Sequence, residues 1–212
     1  MNVEVLPLGP FAANCHVVWD NNRNALVIDP GFDGAHVARV IDSSHLKVCG
    51  WLLTHGHADH VCGLAEAYRM HPAPVYIHEK DAPWVFSENN GITPFYSAPE
   101  RPNCELTTFS GTQTLEIGPF QMQAIHTPGH SPGCVCYYFQ TESILFSGDT
   151  LFKGSAGRTD LRGGDARALA QSLKILAGLP DQTEVFPGHG ESSTIAEEKA
   201  GNYFLREFSA RA

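Results

Sequence analysis

The chain has 212 residues, 42% hydrophobic and 17% charged. That is an ordinary globular composition, which argues against disorder and suits one domain with a substantial core. A net charge of −9 and a pI near 5.6 disfavour nucleic acid and anionic membrane as partners.

The opening MNVEVLPLGPFAANCHVVW has no basic stretch before its apolar residues, and Pro7, Gly9 and Pro10 interrupt it. It is expected to be neither a signal peptide nor a membrane span, which places the chain in the cytoplasm. Six cysteines are scattered at 15, 49, 62, 104, 134 and 136. A chain of this length does not need disulfide staples, so reduced thiols are expected.

Three strand-like runs come first: VEVLPL, CHVVW and ALVIDPG. The turn WDNNRN predicts a hairpin between the second and third. Residues 34–43 have helical spacing, and KVCGWLLT reads as a buried strand. A helix is expected over about 59–70, then a short strand at PVYIH. Residues 89–103 are rich in Gly, Pro, Ser and Asn and read as a loop. Strands follow near 113–117, 120–126, 133–140 and 143–148, then a helix over about 165–177 and a short strand at 184–186. A last helix begins near Thr194, where Glu197 completes a capping box. Each half runs from strands into a helix and back. Two sheets face to face with helices outside accommodate this order.

The stretch LLTHGHADH packs three histidines and an aspartate into positions 55–60. His55 and His57 alternate across a loop, whereas Asp59 and His60 open the helix. Neighbouring helical side chains diverge by about 100°, so the two pairs suit different metal ions. Each ion needs further ligands. HTPGHSPG supplies His130, LFSGDT supplies Asp149 and VFPGHG supplies His189, all in turns at strand ends. A lone histidine in a turn defaults to a surface role, but four such loops together do not. Seven ligand-type residues fill two sites with one carboxylate bridging. His16, His36, His45, His71 and His78 lack a motif and default to surface or packing roles. His126 ends a strand just before TPGH and is read as a plain strand residue, with an outer-shell role as the alternative.

THGHADH, HTPGHSPG, GDTLF and PGHG together resemble the metallo-β-lactamase superfamily, over about residues 12–205. The resemblance implies an αββα sandwich of two mixed β-sheets flanked by helices, formed by residues 1–212 as a single domain. It implies His55, His57 and His130 on the first metal, Asp59, His60 and His189 on the second, and Asp149 bridging. His57 argues against the flavodiiron branch, which usually has Glu there. Asp149 argues against many true β-lactamases, which have Cys. LFKGSAGRTDLRGGD and PGHGESSTIAEEKAGNYFL resemble the glyoxalase II group, especially its short bacterial form. Those enzymes hydrolyse thioesters such as S-lactoylglutathione. The helical C-terminal domain that helps classical members hold glutathione is not expected here. GRTD also resembles the persulfide dioxygenase group, which binds one iron and oxidises glutathione persulfide. That is the alternative, and a non-enzymatic metal-binding protein is a third.

Two divalent ions are therefore expected, zinc first, with iron or manganese as alternatives. They would make water nucleophilic near neutral pH and polarise a thioester carbonyl. Asp59 is expected to orient the water as well as ligate. A thiolate leaves readily, so no strong general acid is needed, and no cysteine sits in a nucleophile's setting. The substrate is expected to be a small-molecule thioester linked to glutathione, whose anionic groups need a cation. Lys153 and Arg158 are the candidates, with Arg162 nearby. An ion pair with Asp160 is the competing role for Arg158. The 89–103 loop, carrying Phe95 and Tyr96, either walls the pocket or is a surface excursion.

Overall fold

A computed structural model describes residues 1–209. The chain forms two compact units. The first comprises residues 1–109 and 116–120, the second residues 110–115 and the chain from 121 onwards.

In the first unit, β1 (Asn2–Leu8), β2 (Ala13–Trp19) and β3 (Asn24–Ile28) pair antiparallel. The expected turn is closed by Asp20, whose Oδ1 accepts from the N–H groups of Asn22 and Asn24 at 2.8 and 2.9 Å. The helix expected at 34–43 is α1 (Gly34–Ser43), capped by Asp33, which accepts from the N–H of His36. β4 (Lys47–Leu52) then runs parallel to β3. β5 (Val75–His78) and β6 (Leu106–Phe109) continue the sheet in parallel, in the order β1-β2-β3-β4-β5-β6. Val27, Trp51, Leu53, Leu64 and Ile77 lie in the core of this unit.

The helix expected over 59–70 is broken into α2 (Ala58–Val61) and α3 (Leu64–Met70). The break falls at Cys62–Gly63 because the backbone there serves the loop after β3. The N–H of Gly63 donates to the carbonyl of Gly31 at 2.6 Å, and that of Gly31 donates to the carbonyl of His60 at 3.0 Å. Gly34 and Gly63 pass so closely that a Cβ on Gly63 would lie 2.8 Å from the Gly34 nitrogen. Strand β6 went unread in the sequence. Its four residues, LTTF, follow the Pro-rich loop directly and include two exposed threonines.

The second sheet runs β14-β13-β10-β9-β8-β7. β7 (Gln113–Ile117) and β8 (Phe120–His126) have the expected bounds, and β9 (Val135–Phe139) and β10 (Ile144–Gly148) lie within theirs. A small hairpin, β11 (Leu151–Phe152) with β12 (Ser155–Ala156), was not anticipated. α4 (Ala166–Ala177) is capped by Asp165. β13 (Glu184–Pro187) is parallel to β10, and β14 (Ser193–Thr194) leads into α5 (Ile195–Gly201) through the expected capping box. The last helix is broken as well, since α6 (Tyr203–Ser209) begins after Asn202. Buried Asn202 turns its amide outward from the helix to the carbonyls of Phe152 and Ser155, at 3.3 and 2.9 Å. Leu145, Leu151, Leu173, Val185 and Ile195 pack in this unit's core.

Both sheets are mixed, as expected of the sandwich class. Among the described residues, no helix is long and apolar enough to cross a membrane. No disulfide forms among the six cysteines. Gly63→Ala should lower stability in urea denaturation by about 1–3 kcal/mol, because its Cβ meets backbone that cannot step aside. Gly201→Ala, where a Cβ meets nothing within 4 Å, should be neutral or stabilise by up to about 1 kcal/mol.

Candidate functional site

Leaving β4, the chain passes through Thr54, His55, Gly56 and His57 into α2. Every step of this loop is tied down inside the first unit. Asp29 stands at the end of β3 with a left-handed φ of 51°, a region that aspartate tolerates better than most residues. Its side chain is buried and accepts three hydrogen bonds. They come from the Thr54 N–H at 2.8 Å, the Thr54 hydroxyl at 2.6 Å and His60 Nδ1 at 3.0 Å. With its hydroxyl proton given to Asp29, Thr54 Oγ1 accepts from His55 Nδ1 at 3.0 Å. Both histidines thereby carry their protons on Nδ1 and present Nε2 as the donor atom, the arrangement expected of imidazole ligands held by an outer shell.

Gly56 is fixed from both sides. Its N–H donates to Asp81 at 3.0 Å, and its carbonyl accepts from the Asn90 amide at 2.7 Å. A Cβ there would approach the Trp84 ring at 3.0 Å. Trp84 also meets the His57 ring at 5.5 Å. The His55 ring lies 4.8 Å from that of His57 and 4.3 Å from that of His60. His55 and His60 are buried, as is Asp59, while His57 is half-buried. Ligand atoms of Asp29, His55 and His60 fall within 4.8 Å of one another. Three clustered imidazoles with a carboxylate beside them form a donor set that suits a divalent ion.

In the second unit, a glycine-bearing turn aims each donor. The register shift between Phe146 and Gly148 in β10, with Gly148 at φ 49°, delivers Asp149 at the strand end. The Gly188 N–H donates to the Gly148 carbonyl at 2.9 Å and so holds the loop of His189 beside it. His130 Nδ1 bonds the carbonyl of Arg158 at 2.8 Å, which turns Nε2 toward Asp149. Asp149 Oδ2 then lies 3.4 Å from His130 Nε2 and 3.7 Å from His189 Nε2. One carboxylate oxygen thus lies between two imidazole nitrogens. The GRTD stretch crosses here at Gly157, where any Cβ would strike the Asp149 carbonyl.

The two cationic candidates are exposed and ion-paired. Lys153 Nζ lies 2.6 Å from Glu191. Arg158 makes a two-pronged pair with Asp160, both contacts at 2.7 Å. That pair holds the Asp160 carboxyl down to about 2. The loop 89–103 folds onto its own unit: Tyr96 is buried and Phe95 half-exposed. Cys62, close to Asp59, has its thiol pushed up to about 11 by burial, so it remains a thiol rather than a nucleophilic thiolate. His126 bonds the Pro132 carbonyl at 3.0 Å and braces the loop of His130. His16 is buried in β2 and held neutral, its pKa pushed down to about 3 by burial.

Asp29, Thr54, Asp81, Asn90 and Trp84 were missed in the sequence. A signal for Asp29 was present, because ALVIDPG places an aspartate straight after an apolar strand, as LFSGDT does for Asp149. Thr54 opens the THGHADH stretch but offers no metal donor of the usual kind, whereas Asp81, Trp84 and Asn90 carry no motif and reach the loop only through tertiary contact.

Residues 8–189 match the family described as the Metallo-beta-lactamase superfamily. The chain is 34% identical over 221 residues to hydroxyacylglutathione hydrolase GloC of Haemophilus influenzae, covering 99% of this chain and 100% of that protein. The crystal structure of BLEG-1 B3 metallo-beta-lactamase is 40% identical, with a TM-score of 0.89, covering 96% of this chain and 99% of the other. The structure of TTHA1623 in a di-iron-bound form is 36% identical, with a TM-score of 0.84 and coverage of 96% and 100%. With the motif-bearing loops and both mixed sheets in place, the chain belongs to the metallo-β-lactamase superfamily.

Proposed function

We propose that the two donor sets act together as one binuclear centre in a single catalytic domain, and that this centre hydrolyses thioesters, S-lactoylglutathione foremost. The observation that carries the reading is the placement of Asp149 between His130 and His189. It fits a carboxylate shared by two ions, with His55, His57 and His130 on one and Asp59, His60 and His189 on the other. The name of the Haemophilus relative supports the substrate class. Zinc is the proposed metal, with iron or manganese as alternatives, and the proposed compartment is the cytoplasm.

Two such ions supply an acidified water and a Lewis acid. The chain's own residues do the rest. Asp29 and the Arg158 carbonyl hold His60 and His130 in the ligating tautomer. Asp59, in the first turn of α2, would be a ligand of the second ion and would orient the attacking water. The leaving thiolate needs no proton donor of its own, in keeping with the absence of a nucleophilic cysteine setting. Arg158 plays two roles. Its carbonyl serves His130, while its exposed guanidinium is proposed to receive an anionic group of the substrate in exchange for Asp160, with Lys153 as second cation.

A second reading, a mononuclear iron dioxygenase acting on glutathione persulfide, is favoured by the GRTD stretch. Elemental analysis alongside assays separates the two. The hydrolase reading expects two metal ions per chain and release of glutathione from S-lactoylglutathione. One iron per chain with oxygen uptake on glutathione persulfide would establish the dioxygenase. Turnover of a chromogenic cephalosporin in place of the thioester would move the activity to lactam cleavage.

Asp29→Asn should weaken metal binding about 10–100-fold, read by competition with a chelating dye, because one acceptor of the Thr54–His60 network becomes a donor. Arg158→Ala should keep its metal, since any residue supplies the carbonyl, yet raise KM about fivefold, the scale of an exposed ion pair. Asp160→Asn should do the reverse and lower KM by freeing the guanidinium. The pH dependence follows from the same pair. The depressed Asp160 keeps the pair intact above its ordinary carboxylate range, and the pair is lost as pH falls through about 2. In Arg158→Ala, an NMR titration should find Asp160 back near the usual 3.9.

A further inference from the structure

Three phenylalanines in the first unit stand exposed on one patch: Phe11 at 39%, Phe32 at 44% and Phe95 at 50%. They come from the β1–β2 turn, the β3–α1 loop and the 89–103 loop, and one buried ring gathers them. Tyr96 lies 5.1 Å from the Phe11 ring and 5.3 Å from the Phe32 ring, both edge-on, and Phe95 lies 5.2 Å from Phe11. The Tyr96 hydroxyl accepts from the Phe11 N–H at 3.1 Å. The Tyr96 backbone is closed on Ile92 in both directions, at 2.8 and 2.9 Å. Gly9, at φ 70°, has no room for a side chain, because a Cβ would lie 2.7 Å from Phe32 and 2.8 Å from the Tyr96 hydroxyl. The patch is therefore preorganised, and aromatic rings have few torsions to freeze on binding.

The same loops are bonded to the metal-ligand helix. Phe32 follows Gly31, which donates to the His60 carbonyl, and Ser97 follows Tyr96 and accepts from the Cys62 thiol at 3.5 Å. An exposed apolar cluster of this kind marks a binding surface, and here its loops are hydrogen-bonded to the helix that carries Asp59 and His60 and to Cys62 just after it. Phenyl rings offer nothing to a glutathione carboxylate, and the cations proposed to hold one, Lys153 and Arg158, belong to the other unit. What suits the rings is the uncharged part of a thioester, its acyl group.

We propose that Phe11, Phe32 and Phe95, set around Tyr96, form an acyl-selecting platform that makes this enzyme prefer thioesters with an aromatic or bulky apolar acyl group. The proposal rests on the thioesterase reading, and its test has one arm that does not. The first arm compares kcat/KM for S-mandeloylglutathione and S-lactoylglutathione, which differ by phenyl for methyl. The wild type should favour mandeloyl by about tenfold or more, on the scale of apolar discrimination in a pocket. In Phe11→Ala/Phe95→Ala the ratio should fall towards one. The second arm measures calorimetric binding of two thioethers that cannot be hydrolysed, S-benzylglutathione and S-methylglutathione. Benzyl should bind the tighter in the wild type, and the double variant should erase the difference. Equal turnover of both thioesters, or a preference that survives the double substitution, would overturn the platform. If neither thioester is cleaved, the thioesterase reading fails, and the calorimetry still decides whether the rings select an apolar group. A wild-type oligomer that dissociates in the double variant on sedimentation would also overturn the proposal, by making the patch an interface between copies.

Discussion

The buried carboxylate of Asp29 is the constraint on which the histidine cluster depends. It joins the end of β3 to Thr54 beyond β4 and to His60 on α2. Burying a charge is costly unless each lone pair finds a donor, and here three donors converge from two elements. The network leaves one arrangement of protons for Thr54, His55 and His60, with Nε2 of both histidines left as the donor atom. A ring whose second nitrogen faces a carboxylate is also a stronger donor. The same device stops the helix early, because the loop that carries Asp29 onward to Gly31 claims backbone groups at His60 and Gly63.

The second unit reaches the same end by other means. Its histidine is oriented by a main-chain carbonyl, that of Arg158, rather than by a buried acid. Its carboxylate is aimed by a bulge at Gly148, with Gly157 crossing too closely for any side chain. A carbonyl orients an imidazole without bringing in a net charge. The charged outer shell is thus concentrated on the Asp29 side. The GRTD stretch acts here first through its backbone.

Exposed charges and exposed rings divide the remaining surface features. Lys153 and Arg158 are paired with Glu191 and Asp160. Pairs of this kind contribute little to stability and can be exchanged for a ligand's anion. The phenylalanine patch is held instead by ring contacts within its own unit. It stays in place because Tyr96 and Gly9 leave it no other packing.

Much of this was legible in the chain itself. Period-two and period-3.6 patterning placed β7, β8 and α1 at their observed bounds, and the capping box marked the start of α5. His55, His57, Asp59, His60, His130, Asp149 and His189 stood out because each lies in a turn at a strand or helix end, where local sequence alone exposes a donor. What stayed hidden depended on distant partners. The breaks at Gly63 and Asn202 interrupt patterns that read as continuous helices, since the competing hydrogen bonds come from Gly31, Phe152 and Ser155. Asp81 and Asn90 look like ordinary loop residues until the fold sets them on either side of Gly56. Sequence determined which residues could ligate, because donor chemistry and turn position are local properties. Only the tertiary structure decided which nitrogen of His55, His60 and His130 is left as the donor, because that depends on a hydroxyl, a carboxylate and a carbonyl that the fold brings up to each ring.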